Sequence, residues 1–230
     1  TNYKTSEITI NGIKIDIAAA RIETYPIPGE NPIVESSTIK NDLTRRDFNI
    51  NAMAIDLKNN RLIDLFSGLD AIYNMKMDFL HKSSVLEDPT RIIRASRYSA
   101  KLDIHLSTQA LRQIKDTINR WPWKWHIGDN NDLAPSALSI RLRMELELLL
   151  KSKYWKNALK NLQDWGGLKI VDSKLQNDQS IIEKILIAKK SNIEPLTALV
   201  YESKDPISLS KRLHLNQQEK EIIEGAYKLY

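Results

Sequence analysis

The sequence contains no cysteine, which excludes a disulfide framework, thiolate metal ligands and a cysteine nucleophile together. It has no long apolar run. Stretches such as Leu148-Leu149-Leu150 fall far short of the ~20 consecutive apolar residues a membrane-spanning helix needs. The start, Thr1-Asn2-Tyr3-Lys4, lacks an initiator methionine and does not resemble a signal peptide. No internal repeat or low-complexity tract occurs. What is present is an ordinary globular composition over 230 residues, 42% hydrophobic and 27% charged, enough for one large or two modest domains. These features set the expectation of a cytoplasmic protein with no membrane contact.

Charge is distributed unevenly. The formal net charge is +5. Residues 1–80 hold nine basic and eleven acidic side chains, whereas residues 81–152 carry a net +4 and residues 153–230 a net +3. The positive excess therefore lies in the last two thirds. A mild basic bias of this kind favours polyanionic partners through phosphate neutralisation and counterion release, and it is equally compatible with a solvated surface that binds nothing anionic.

The first 80 residues read as β-rich. Ile8 and Ile10 alternate with polar residues, as do Ile13, Ile15 and Ile17, and Asn11-Gly12 between them is a strong hairpin signal. Residues 25–42, with Pro26, Pro28, Gly29 and Pro32, read as a loop. Short strands are expected at 53–57 and 61–63 across Asn59-Asn60, and another at 76–80. Beyond Leu80 the spacing becomes helical, predicting helices over 87–101, 107–119, 134–151, 154–163, 178–190, 193–202 and 215–229. Ser107-Thr108, Asp205-Pro206 and Asn216 mark starts. Trp121, Trp123 and Trp125 fall between two helices, where packing is favoured over stacking on bases.

Two segments carry candidate chemistry. In Glu87-Asp88-Pro89-Thr90-Arg91, Asp88 and Arg91 stand three apart at a predicted helix start, side by side on one face. They read either as a helix-end ion pair or as a reader of a nucleobase edge. A carboxylate accepting from an exocyclic amine beside an arginine donating to a ring nitrogen admits cytosine and adenine. Uracil and guanine present a ring N–H beside a carbonyl, which reverses that pairing. Arg94 and Arg97 continue the helix with two more guanidinium forks suited to phosphate. In Arg45-Arg46-Asp47-Phe48-Asn49-Ile50-Asn51-Ala52, polar groups surround two apolar anchors. This segment reads either as an exposed helix start capped by Asp47 or as a shelf on which Arg46 grips a triphosphate while Asp47 and Asn51 bond ribose hydroxyls.

Taken together, the strings Asp42–Ala54 and Glu87–Arg97 resemble those of the class II tRNA nucleotidyltransferase and bacterial poly(A) polymerase family. Leu62–Leu69 is similar to that family's Asp…Phe-x-Gly turn, and Leu138–Leu146 to its later helical motif. The four motifs cover residues 1–150. The resemblance implies an α+β fold: a partial nucleotidyltransferase (polymerase β-like) β-sheet head over 1–80, followed by an all-helical neck over 81–152 with the base-reading helix and an RNA-binding helical body over 153–230. It implies template-independent transfer of CMP or AMP from CTP or ATP to the 3′ end of tRNA. It also implies nucleotide binding by Arg46, Asp47, Asp88, Arg91, Arg94 and Arg97, to which the reading of the segment itself adds Asn51, and Mg²⁺ as cofactor.

The sequence departs from the family in its first part. The family's Gly-Gly-x-x-Arg-Asp loop and Asp-x-Asp metal pair have no counterpart upstream of Arg45. Asp16, in Ile15-Asp16-Ile17, resembles the third carboxylate and is the expected catalytic and metal-binding residue; by alternation it points away from the isoleucines, towards a cleft or towards water. A single carboxylate is a poor Mg²⁺ cage, so the chain by itself is expected to be inactive or nearly so. A missing head strand would leave an exposed sheet edge. Tyr230 closes a predicted helix abruptly, so a truncated body is expected as well. Alternative readings are a non-catalytic RNA- or nucleotide-binding fragment of the family, a poly(A) polymerase, and a purely structural helical domain.

Overall fold

The protein is described over residues 5–227 by a computed structural model. In chain order the elements are β1 (Thr5–Ile10), β2 (Ile13–Ala18), β3 (Arg21–Thr24), β4 (Ile33–Ser36), α1 (Ile39–Thr44), β5 (Met53–Asp56), β6 (Arg61–Asp64), α2 (Gly68–Tyr73) and β7 (Lys76–Met77). The helical part follows: α3 (Ser84–Glu87), α4 (Thr90–Leu102), β8 (His105–Leu106), α5 (Thr108–Arg120), α6 (Ile140–Lys151), α7 (Trp155–Asp164), α8 (Ser173–Asn177), α9 (Ile181–Lys190), α10 (Pro195–Tyr201), α11 (Pro206–Arg212) and α12 (Gln217–Tyr227). The class is α+β, with most of the strands, all in two-stranded sheets, ahead of the long helices. No helix among the described residues is long and apolar enough to cross a membrane.

Asn11 and Gly12 both take positive φ, 51° and 79°, as the tight turn between β1 and β2 requires. The register pairs Ile8 with Ile15, Ile10 with Ile13 and Ser6 with Ile17. Directly opposed residues share a face, so all five isoleucines lie on one side of the ribbon, and each is 38–66% exposed. The other side carries Glu7 opposite Asp16, with Lys14 Nζ 3.1 Å from Glu7.

The core lies further on, in one cluster running from Phe48 to Ile223. In α5, Ser107 Oγ accepts from the Ala110 N–H at 3.0 Å, a hydroxyl N-cap, and Ala110, Ile114 and Ile118 recur every four residues on the buried face. In α6, Leu142, Leu146 and Leu149 are fully buried. The tryptophans pack, as the helix-joining reading has it. Trp123 and Trp125 are buried, and their indole N–H groups donate to Leu86 O and Asn130 O, both at 3.0 Å.

Several sequence expectations need correction. Residues 25–42 are not a continuous loop: β4 pairs antiparallel with β3, because the prolines stop at Pro32 and leave Ile33-Val34 free to pair, and α1 starts within the same stretch on a Thr38 cap. The helix expected from residue 87 is broken. Asp88 is extended at φ −140°, ψ 95°, the conformation imposed on a residue preceding proline, so α4 begins only at Thr90. The helix expected from 134 starts at Ile140, after two 3₁₀ turns around Pro135. The 178–190 prediction becomes α9 from Ile181, with α8 before it unforeseen. Helix α11 follows the Asp205-Pro206 start signal, yet no helix is expected there from spacing. The predicted 215–229 helix is α12, and its positions 228–229, like Tyr230 and residues 1–4, lie outside the described residues.

Candidate functional site

Phe48 positions the site. Its side chain is fully buried, packed against Phe79 in a tilted arrangement and edge-on against Tyr98, at ring-centroid separations of 5.4 and 5.7 Å. Asn51 Oδ1 accepts from the Phe48 N–H at 3.2 Å, and Asn49 Oδ1 accepts from the Asp78 N–H at 3.1 Å. Gly68 packs beneath this turn; a β-carbon there would overlap the Asn49 carbonyl oxygen and crowd Met53. Asp64 holds the approach to it by accepting from the N–H groups of Phe66, Gly68 and Leu69. With the apolar anchor driven inward, the preceding Asp47 faces α4.

Asp47 is buried between two arginines of α4, with Arg91 Nε at 3.1 Å and Arg94 Nη2 at 2.5 Å. It is therefore an ion-pair hub and not the exposed helix cap that was one reading of its segment. Arg91, 2% exposed, also donates to Ser84 O at 3.4 Å and Arg45 O at 3.2 Å. Asp88 and Arg91 do not pair with each other. One Asp88 oxygen accepts from Thr90 N–H at 3.0 Å and Thr90 O–H at 2.6 Å, and the other takes Arg141 at 3.1 Å. Arg141, on α6, extends to the carbonyls of Gly29 and Glu30 at 3.1 and 3.0 Å. Arg97 turns to Glu145 at 3.0 Å, and Arg94 Nε lies 3.8 Å from the same carboxylate.

A second group of ion pairs centres on Asp42 and Glu23. Asp42 receives Arg45 at 2.8 Å and Arg46 at 3.2 Å, and Glu23 receives Arg45 at 3.0 Å and Arg21 at 2.8 Å. Burial opposes the Asp42 charge, but Arg45, the Arg21 N–H and Arg46 outweigh it and hold the carboxyl below its usual range. Burial raises the Glu145 carboxyl against the pull of Arg94 and Arg97. Burial, with the Asp88 charge beside it, pushes the Tyr25 phenol up to about 12.

These ion pairs border a cavity of about 500 Å³, within the size range of small-molecule sites. Arg46, Asp47, Asn51, Asp88, Arg91 and Arg94 all line it, joined by Arg21, Glu23, Tyr25, Arg45 and Arg141. Six arginines face three carboxylates, so the cavity suits a polyanion of nucleotide size. Arg97 does not line it. Asp16 stands apart on the exposed ribbon.

Sequence reasoning passed over Arg141, Glu145, Tyr25, Glu23 and Asp42. A signal was present for some of them. Arg141 and Glu145 stand four apart within the Leu138–Leu146 string, hence on one helix face, and Asp42 stands three and four before Arg45 and Arg46.

Residues 1–78 match the Poly A polymerase head domain. The A-adding tRNA nucleotidyltransferase of Aquifex aeolicus is 33% identical over 191 residues, 82% of this chain and 22% of that protein. The CC-adding tRNA nucleotidyltransferase of Deinococcus radiodurans is 32% identical over 169 residues, 72% of this chain and 41% of that protein. The solved structure of a CCA-adding enzyme in an apo form superposes with a TM-score of 0.75 at 27% identity, covering 97% of this chain and 55% of that one. The chain thus spans less than half the length of these two relatives. The fold agrees with the matches, and the chain belongs to the tRNA nucleotidyltransferase and poly(A) polymerase family.

Proposed function

We propose that this chain is the nucleotide-selecting part of a template-independent nucleotidyltransferase that transfers CMP or AMP, or both, from CTP or ATP to the 3′ end of tRNA in the cytoplasm. The division into head (1–80), neck (81–152) and body (153–230) belongs to this proposal. The observation that carries it is the meeting of six sequence-nominated residues in one arginine-rich cavity. In this reading Arg46, whose side chain is the most exposed of the ion-paired arginines there at 41%, receives the triphosphate with Arg94. Arg97 supports Arg94 from outside through Glu145. Asp88, set by Thr90 and Arg141, accepts from the exocyclic amine of cytosine or adenine, and Arg91 donates to the neighbouring ring nitrogen. Asp47 and Asn51 serve the ribose side.

The metal part of the expectation does not fit the residues described. Two-metal phosphoryl transfer needs carboxylates that bridge ions to the attacking hydroxyl and the α-phosphate. Among the described residues no group of three or more His, Cys, Asp or Glu side chains is arranged to hold a metal. Asp47 and Asp88 are committed to arginines, and Asp16 lies on the open ribbon. Asp16 is a proposed ligand only, and this chain by itself is proposed to bind nucleotide without transferring it.

Nucleotide titration followed by calorimetry tests the reading. CTP and ATP should bind, UTP and GTP more weakly, and Asp88→Ala should weaken CTP and ATP together by about tenfold or more, the usual size of a base-edge contact. Weakening of only one of the two would refute the shared-edge argument, and equal binding of all four nucleotides would refute selection by this cavity.

A further inference from the structure

A groove of about 750 Å³ lies between α3 and α5. Arg112, Asp116 and Arg120 recur every four residues along α5 and form one stripe of its exposed face. Lys82, Leu86 and Gln113 line the same groove. Among the described residues no carboxylate pairs with Lys82, Arg112 or Arg120, whereas Arg45, Arg46, Arg91, Arg94 and Arg141 in the cavity each hold one. Three cations against the single Asp116 leave the groove net positive.

We infer that this groove carries the ribose–phosphate strand of the RNA whose 3′ end the cavity serves. The inference rests on the nucleotidyltransferase reading and adds the strand's path to it. Three features fit a nucleic-acid strand better than a free surface. Unpaired guanidinium and ammonium groups converge on a concavity and await phosphates. The amide of the exposed Gln109 borders the same space, able to donate to and accept from base edges or 2′-hydroxyls, whereas Gln113 is held by the His81 carbonyl at 3.0 Å. Arg112 and Arg120, eight residues apart on a helix, are separated by about 12 Å of rise, enough for several phosphates of one strand. The groove and the cavity share a wall: Leu86 lines one and Asp88 the other. Those Cα atoms, two residues apart, are within about 7 Å of each other, so a strand in the groove runs beside the proposed base reader.

The test is fluorescence anisotropy with labelled tRNA lacking its 3′-terminal nucleotides, titrated with the full 230-residue chain across about 50 to 200 mM salt, with CTP affinity measured in parallel. The double variant Arg112→Gln/Arg120→Gln should bind RNA at least tenfold more weakly and with a salt slope shallower by about two, at unchanged CTP affinity and circular dichroism. The control Lys211→Gln/Lys220→Gln, which removes the same charge elsewhere, should lose much less. Unchanged RNA affinity and slope in the groove variant, an equal loss in the control, or an unsubstituted chain that binds CTP but no RNA would each overturn the inference. RNA binding through the groove without CTP binding would instead sink the nucleotide-site reading and leave the groove standing. A chain that bound neither would sink both.

Discussion

The β1–β2 ribbon and helix α6 are patterned with equal clarity and end in opposite environments. Both carry an apolar stripe at the correct period: two for the ribbon, through Ile8, Ile10, Ile13, Ile15 and Ile17, and 3.6 for the helix, through Leu142, Leu146 and Leu149. The three leucines are fully buried, while the five isoleucines are all 38–66% exposed and none belongs to the core cluster. Periodicity states which side of an element is apolar. What comes to cover that side depends on the rest of the fold, and of these two elements, among the described residues, only α6 has such a cover. The site follows the same division. The residues that line the cavity sit where Phe48 is pinned into the core, and Asp16, on the ribbon, is not brought to them.

The sharpest way to break this comparison is to ask whether the site belongs to the buried region energetically. Asp47 comes from the segment before β5, yet its partners are on α4. Asp47→Ala leaves Arg91 and Arg94 without their shared counter-ion in a buried setting and should cost about 3–5 kcal/mol, measured by urea denaturation. A loss below ~1 kcal/mol would mean that the segment carrying Asp47 unfolds independently of the helices.

Next in size, Leu146→Ala should cost about 2–5 kcal/mol through lost burial and the cavity left behind. Ile15→Ala on the ribbon should cost under about 1 kcal/mol. If the two losses were equal, the ribbon would be part of the same cooperative unit and the contrast drawn from exposure would fail.

The smallest effect is a matter of pH. The Asp42 carboxyl is held below its usual range in the folded protein, so its contribution to stability is present above the unfolded value, near 3.9, and is lost as pH falls through the lower folded one. The stability gap between the unsubstituted protein and Asp42→Asn should therefore be constant from about pH 7 down to 5 and close on further acidification. A gap that widened with acid would reverse the assigned shift.

Much of the site was legible before the fold. Arg46, Asp47, Asn51, Asp88, Arg91 and Arg94 announce themselves by type and spacing, and the cavity gathers all six. How they are held was not legible. The i,i+3 spacing makes Asp88 and Arg91 helical neighbours, but Pro89 forces Asp88 into extended backbone, and its carboxylate turns to Arg141, 53 residues away. Arg97, equal to Arg94 by spacing, ends outside the cavity because Glu145 of α6 captures it. Short elements were missed where two rules met in a few residues: β4 directly after Pro32, and α8 and α11, of five and seven residues, where there are too few turns for a periodic signal.

By itself the sequence determined the hairpin turn, the apolar faces, most of the long helices and the residue types able to meet a nucleotide. Those depend on local stereochemistry and on patterns within one segment: positive φ at Asn11-Gly12, a hydroxyl cap at Ser107, a leucine every third or fourth residue. Only the tertiary structure decided which charges are partnered. Each buried carboxylate of the site takes arginines according to the direction in which packing points it, with Phe48 turning Asp47 inward, Pro89 turning Asp88 towards α6, and α6 supplying Arg141 and Glu145. Charges in a low-dielectric interior persist only when paired, and the choice of partner rests on contacts between segments far apart in the chain.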